Sequence, residues 1–156
     1  MTTTVLRHGL RVLLAALFVF AGVMHLADPA FFHPQVPTWI PGTDNIIRVT
    51  GVLFLLGGLG LLGTGRLRSL AGVGLMALLL IVWPGNWWGA LQPGSYIREG
   101  APNALDWFRV PFQLVFIGLV YWTSSDGILE WTGTSLRRGG VNRLAGPVDR
   151  TGSASL

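Results

Sequence analysis

The sequence predicts an all-helical integral membrane protein, a bundle of four transmembrane helices, on three observations. Hydrophobic residues make up 51% of the 156 residues and charged residues only 12%, which is too apolar for a soluble surface that mixes both signs of charge. Arginines gather at one side of the apolar runs, as the positive-inside rule requires. Four apolar runs can cross a hydrocarbon core of about 30 Å, namely residues 10–27, 44–63, 69–91 and 106–123.

Composition also excludes several kinds of chemistry. The chain has no cysteine, so disulfides, thiolate metal sites and thiol nucleophiles are ruled out. All eleven cationic residues are arginine, which excludes a lysine Schiff base. We expect neither a metal site nor a nucleic-acid partner. Redox chemistry would need a bound cofactor or a second protein.

The first apolar run leads into a proline-rich segment that contains several aromatic residues. Residues 10–27 are apolar apart from Arg11 and His25. A cleaved signal peptide is the alternative interpretation, but the run is longer than the roughly 7 to 15 residues of a signal core. Residues 28–42 carry four prolines with Phe31, Phe32 and Trp39, a composition typical of a loop lying in the headgroup layer.

The second run is predicted to begin at a cap formed by Thr43 or Asp44 and is rich in glycine. Its residues Gly58, Gly60 and Gly63 spell the dinucleotide-binding pattern GxGxxG. That pattern needs a preceding strand and a following acid, whereas here it lies inside an apolar helix. We therefore expect these glycines to serve close helix packing.

The later runs carry the remaining polar residues that fall inside the predicted spans. Asn86 follows Pro84 between Gly85 and Gly89, a pair whose spacing predicts close approach to a neighbouring element. Arg109 and Gln113 are four residues apart and share one helix face. Residues 1–132 form the predicted membrane domain, and residues 133–156 a disordered basic tail.

Arginine counts set the predicted orientation. Eight arginines fall on one side of the four-span arrangement and three on the other, so both termini are predicted to be cytoplasmic. His25, Asn86, Arg109 and Gln113 then share the outer leaflet. Because polar groups inside a membrane tend to face one another, we predict a polar cluster roofed by residues 28–42. The alternatives are that Arg109 reaches the headgroups and that His25 and Asn86 only join helices by hydrogen bonding.

Several segments resemble the DoxX family of small four-span bacterial membrane proteins. They include FAGVMHLADPAFF, VPTWIP, TGVLFLLGGLGLL, LLLIVWPGNWWGAL and FRVPFQ, in matching order across residues 11–123. The resemblance implies a bacterial plasma membrane location. Similar proteins often carry a glutamate where this chain has Phe54 and a histidine where it has Gln92. The resemblance marks as characteristic positions His25, Pro84, Asn86, Arg109, Pro111 and Gln113.

Three functions remain open at this point. The first, suggested by the association of the DoxX name with quinone-linked oxidase and thiosulfate oxidation systems, is a non-catalytic membrane subunit or anchor for a redox or stress-response complex. The second is a binding module that holds a quinone or lipid head in the polar cluster. The third is an enzyme that uses His25 as an acid or base. The absence of a second inward base counts against the third.

Overall fold

The computed structural model describes residues 2–91 and 107–125, and these residues are almost entirely helical. Helix α1 spans Thr2–Ala27, a 3₁₀ helix spans Pro29–Gln35, α2 spans Thr43–Leu61 and α3 spans Gly65–Leu91. Residues 107–125 form helix α4. No strand occurs in the two described ranges. The predicted loop around Gln92 and the predicted tail 133–156 lie outside them.

Three helices are long and apolar enough to cross a membrane, which indicates a membrane protein. They are Thr3–Ala27, Thr43–Leu61 and Gly65–Leu91. Most of each apolar stretch is not buried inside the protein, so its outward faces suit contact with lipid acyl chains. Helix α4 is not among the three. It is less apolar, because it contains Arg109 and Gln113 and because its last described residues are threonine and serine. The prediction of a fourth span is therefore not confirmed on length and composition.

Helices α1 and α2 meet along a seam of small residues. A Cβ atom at Gly22 would lie 2.7 Å from the carbonyl oxygen of Gly51, and one at Gly51 would lie 2.9 Å from that of Gly22. Two turns further along, a Cβ atom at Gly58 would lie 2.9 Å from the carbonyl oxygen of Ala15. Only small residues allow two backbones this close. The contacts pair later residues of one helix with earlier ones of the other, so α1 and α2 are antiparallel.

Two of the three GxGxxG glycines, Gly58 and Gly60, serve helix packing as the sequence predicts, whereas Gly63 lies beyond the end of α2. Gly58 lies against α1, and a Cβ atom at Gly60 would lie 2.6 Å from the Cβ atom of Ala71 in α3. One helix therefore uses two neighbouring glycines to approach two different helices. No strand precedes the pattern within the described residues, so the dinucleotide interpretation has no structural basis.

Helix α4 packs antiparallel to α3 along most of its length. The amide of Gln113 donates to the carbonyl oxygen of Leu79, and Ser124 lies against Gly72 two turns earlier in α3. The indole nitrogen of Trp83 donates to the carbonyl oxygen of Val110 at 3.1 Å. The four long helices thus run alternately up and down, in the arrangement typical of a four-helix bundle.

The core takes one face from each long helix. Phe18 stacks on Phe54 with 5.7 Å between ring centroids, and Phe116 meets Phe18 edge-on at 6.3 Å. Phe54 is only 6% exposed, so the position where the DoxX resemblance would place a glutamate is an apolar core position. The other buried apolar residues of this core are Leu14, Ala15, Leu61, Leu75, Leu78, Leu79 and Val120.

Two local predictions for residues 28–44 need correction. The segment is more regular than a loop, because Pro29 fits the first position of a 3₁₀ helix and Asp28 caps it by accepting from the Phe31 amide at 3.3 Å. The cap of α2 is neither Thr43 nor Asp44 but Gly42, whose φ of 73° is left-handed. Asp44 instead accepts a hydrogen bond from His33 Nε2 at 2.5 Å.

Candidate functional site

His25 lies in the last turn of α1, where its ring faces the 3₁₀ helix. Its Nδ1 atom donates to the carbonyl oxygen of Ala21 at 2.7 Å, because a carbonyl can only accept. The neutral ring then leaves Nε2 as an acceptor, and no hydrogen bond from the described residues reaches it. Phe32 stacks on the imidazole with 3.7 Å between centroids, and Phe54 meets it edge-on at 5.4 Å. The histidine is thus held in place while one polar atom remains available.

Asn86 and Gln113 join α3 to α4 within the same layer. The Nδ2 atom of Asn86 donates to Oε1 of Gln113, whose own Nε2 donates to the carbonyl oxygen of Leu79. Gln113 is 5% exposed, so its amide is buried and satisfied at both ends, as a buried polar group must be. Arg109 lies one turn earlier on the same face of α4. It is partly buried.

All four predicted site residues line one cavity of about 630 Å³. This volume lies within the roughly 300–1,000 Å³ range of small-molecule sites. Gln35 and Thr50 add further polar atoms to the lining. The structure therefore brings together residues that lie on three different helices. Most of the remaining wall is phenylalanine, from Phe18, Phe20, Phe31, Phe32, Phe54, Phe108, Phe112 and Phe116.

A second cavity of about 630 Å³ lies between α3 and residues 28–42. Four tryptophans line it, and Trp39 of the loop meets Trp88 of α3 edge-on at 4.7 Å. Trp87 continues this aromatic group, with contacts to Trp83 at 6.3 Å and to Trp107 at 5.7 Å. The two cavities share part of their walls, which we call the neck, formed by His25, Phe32, Gln35, Thr50 and Val82.

Gln35 is a site residue that sequence analysis missed. Its Nε2 atom is buried and has no hydrogen-bond partner among the described residues. A buried amide without a partner costs about 1–3 kcal/mol. Its backbone oxygen would lie 2.9 Å from a Cβ atom at Gly85, so the predicted close approach at Gly85 is to the 3₁₀ helix. The available signal in the sequence was a lone amide side chain within an apolar and aromatic segment. The direction in which that side chain points depends on the 3₁₀ helix, which the sequence analysis did not predict.

Arg11 was also missed as an interior residue, although it lies far from the cavities. It is 7% exposed, and its Nε and Nη2 atoms donate to the carbonyl oxygen of Thr123 at 3.0 and 2.8 Å. Arg7 lies nearby over the ring of Trp122, at 5.3 Å from its centroid. The available signal was an arginine inside an apolar run, which is rare unless it has a partner.

The described lining of the first cavity offers hydrogen-bonding side chains and apolar walls. No group of three histidine, aspartate or glutamate side chains comes together within residues 2–91 and 107–125. In the part of the first cavity that the structure describes, His25 is the single side chain that ordinarily titrates near neutral pH. The arrangement offers hydrogen bonds and apolar walls to a ligand, with no paired acid and base.

Comparison with known proteins corrects the family assignment. Residues 14–124 match the family described as Domain of unknown function (DUF8561). No curated protein and no solved structure matches the chain. The resemblance to the DoxX family is therefore wrong. Apolar runs separated by proline, glycine and tryptophan are imposed by the bilayer on many membrane proteins, so the segments that carried the resemblance do not identify a family.

Proposed function

We propose a function from the geometry, because this chain belongs to the family described as Domain of unknown function (DUF8561), whose description assigns no activity. We propose that the protein binds an amphipathic molecule of the membrane, a lipid or a quinone. Its polar head lies among His25, Asn86, Arg109 and Gln113. Its apolar part lies against the aromatic walls of the two cavities.

The observation that carries this proposal is the convergence of these four side chains from three helices on one largely apolar cavity. Polar groups in a membrane interior are costly and are usually retained for a function. Helix packing alone accounts for Asn86 and Gln113, which bond to each other. It does not account for the cavity or for the Nε2 atom of His25, which accepts no hydrogen bond from the described residues. Apolar walls with a few convergent polar groups are typical of small-molecule sites.

The proposal includes a four-span topology with both termini in the cytoplasm and the site in the outer leaflet of the membrane. Two observations support the fourth span. Helix α4 packs beside α3 from Leu79 to Gly72, and its end bonds to Arg11 in the first half of α1. It therefore runs alongside two helices that are apolar enough to cross. The arginine distribution supports the orientation.

The test is to identify what copurifies with the protein. Wild type, Arg109→Met and Arg48→Met would be purified in mild detergent, and bound lipids and quinones would be extracted and quantified by mass spectrometry. Arg48 is exposed on α2 and is the matched control. We expect an enriched amphiphile in wild type and Arg48→Met and a severalfold loss in Arg109→Met, at comparable thermal stability.

Equal lipid content in all three proteins would contradict the binding role. Copurification of a second protein in fixed ratio, without an enriched amphiphile, would favour the alternative of a non-catalytic membrane anchor for a partner protein.

A further inference from the structure

We propose that the head of the ligand carries a hydroxyl group, that this hydroxyl bonds to His25 and Gln35 at the neck, and that the ligand's chain enters the tryptophan-lined cavity. This inference rests on the proposed function, since it names the class of molecule that the same site accepts. It adds Gln35, which was not among the predicted site residues, and it assigns separate roles to the two cavities.

The 3₁₀ helix brings the side chain of Gln35 to the neck, where His25 also lies. A 3₁₀ helix has three residues per turn, so side chains three apart lie on one face. Phe32 and Gln35 are three apart, and Phe32 stacks on the His25 ring at 3.7 Å. Both His25 and Gln35 line both cavities. The backbone contact between Gln35 and Gly85 of α3 holds this end of the 3₁₀ helix in place.

Thr50 adds a hydroxyl group to the neck, and the two atoms on which this inference rests are one acceptor and one donor. His25 Nδ1 is used by Ala21, which leaves Nε2 to accept, and Gln35 Nε2 is a buried donor without a partner in the described structure. A hydroxyl group satisfies both, because it donates one hydrogen and accepts another. A ketone or ester carbonyl can only accept and would leave His25 Nε2 unsatisfied. An ether has the same deficiency.

The second cavity suits the chain better than the first. Its walls hold four tryptophans with aliphatic residues such as Ile81, and its polar side chains, His25, Gln35 and Thr50, all belong to the neck. The first cavity also carries Arg109, Asn86 and Gln113, whose polar atoms an alkyl chain would desolvate without replacing their hydrogen bonds. Further polar atoms of the head would face these three residues.

Three probes of one chain length test the head group. Full-length protein in phosphatidylcholine nanodiscs would be titrated with hexadecanol, its methyl ether and its monophosphate, each brominated at the chain end. Quenching of tryptophan fluorescence would give the dissociation constant, because bromine quenches an indole only at short range. We expect hexadecanol to quench and to bind at least about tenfold more tightly than the ether, which cannot donate to His25.

The Gln35→Met variant tests the donor, with Thr38→Val as a matched control at an exposed position of the same segment. Gln35→Met should weaken hexadecanol binding about tenfold and should not lower the unfolding temperature without ligand, since it removes a buried unsatisfied amide. A variant that merely disturbed the fold would show both weaker hexadecanol binding and a lower unfolding temperature.

Two results would overturn this inference while the proposed function stands. One is equal binding of hexadecanol and its ether, or tighter binding of the monophosphate. The other is unchanged hexadecanol binding by Gln35→Met relative to Thr38→Val. If no probe binds and no amphiphile copurifies with wild type, the proposed function itself fails, and this inference fails with it.

Discussion

Arg11 donates two hydrogen bonds to the carbonyl oxygen of Thr123 and so ties the first half of α1 to the last described turn of α4. A buried carbonyl oxygen needs a hydrogen-bond donor, and the guanidinium of Arg11 supplies two N–H groups to this one. Thr123 is fully buried, so water does not reach its carbonyl oxygen. Arg11 thus closes the bundle at the end opposite the cavities.

We predict that Arg11→Met lowers the free energy of unfolding by about 1–3 kcal/mol, because it leaves a buried carbonyl without its donor. Arg11→Lys should cost less, since one donor and the charge remain. Arg48→Met is the control, because Arg48 is exposed on α2 and an exposed charge contributes little to stability. The measurement is unfolding in detergent. Equal stability of Arg11→Met and Arg48→Met would contradict a structural role for the Arg11 bonds.

The glycine seam between α1 and α2 gives a second prediction. Gly22→Ala should destabilise the protein by about 1–3 kcal/mol, since the new methyl group would lie 2.7 Å from the carbonyl oxygen of Gly51 and force the helices apart. Gly9→Ala on the same helix has nothing within 4 Å and should be neutral or slightly stabilising. The measurement is thermal unfolding of both variants. If Gly22→Ala is as stable as Gly9→Ala, the close contact between α1 and α2 does not contribute to stability.

Gly85 offers a way to disturb the neck without touching a polar side chain. A methyl group at Gly85 would lie 2.9 Å from the backbone oxygen of Gln35, so Gly85→Ala should displace the 3₁₀ helix and reduce the copurified amphiphile severalfold. Gly74→Ala in the same helix meets nothing within 4 Å and should leave the bound amphiphile unchanged. The readout is lipid content per protein by mass spectrometry. Identical content in the two variants would show that the 3₁₀ helix does not shape the site.

Topology is tested by reporter fusions. Fusions after Gly94 and at the C-terminus should report opposite sides of the membrane, with the C-terminal fusion cytoplasmic, because eight arginines flank that side. Alkaline phosphatase and green fluorescent protein, which are active on opposite sides, provide the paired measurement. If both fusion sites report the same compartment, α4 does not cross.

The sequence by itself predicted the long helices and the layer in which four polar side chains lie together. Depth in a membrane is a single coordinate that follows from position along an apolar run, because a helix rises about 1.5 Å per residue. His25, Asn86, Arg109 and Gln113 could therefore be placed at one end of the bundle before any contact was known. The same reasoning could not identify the family, since the bilayer imposes similar runs on unrelated chains.

Only the tertiary structure decided which side chains face one another and which remain unsatisfied. Arg11 and Thr123 are far apart in sequence, and they meet because the antiparallel packing of α4 against α1 brings them to one end. Gln35 faces the neck because prolines and the Asp28 cap wind residues 29–35 into a 3₁₀ helix whose period carries Gln35 onto the face of Phe32. Rotation about a helix axis depends on packing against neighbours, and an apolar run surrounded by lipid carries little information about it.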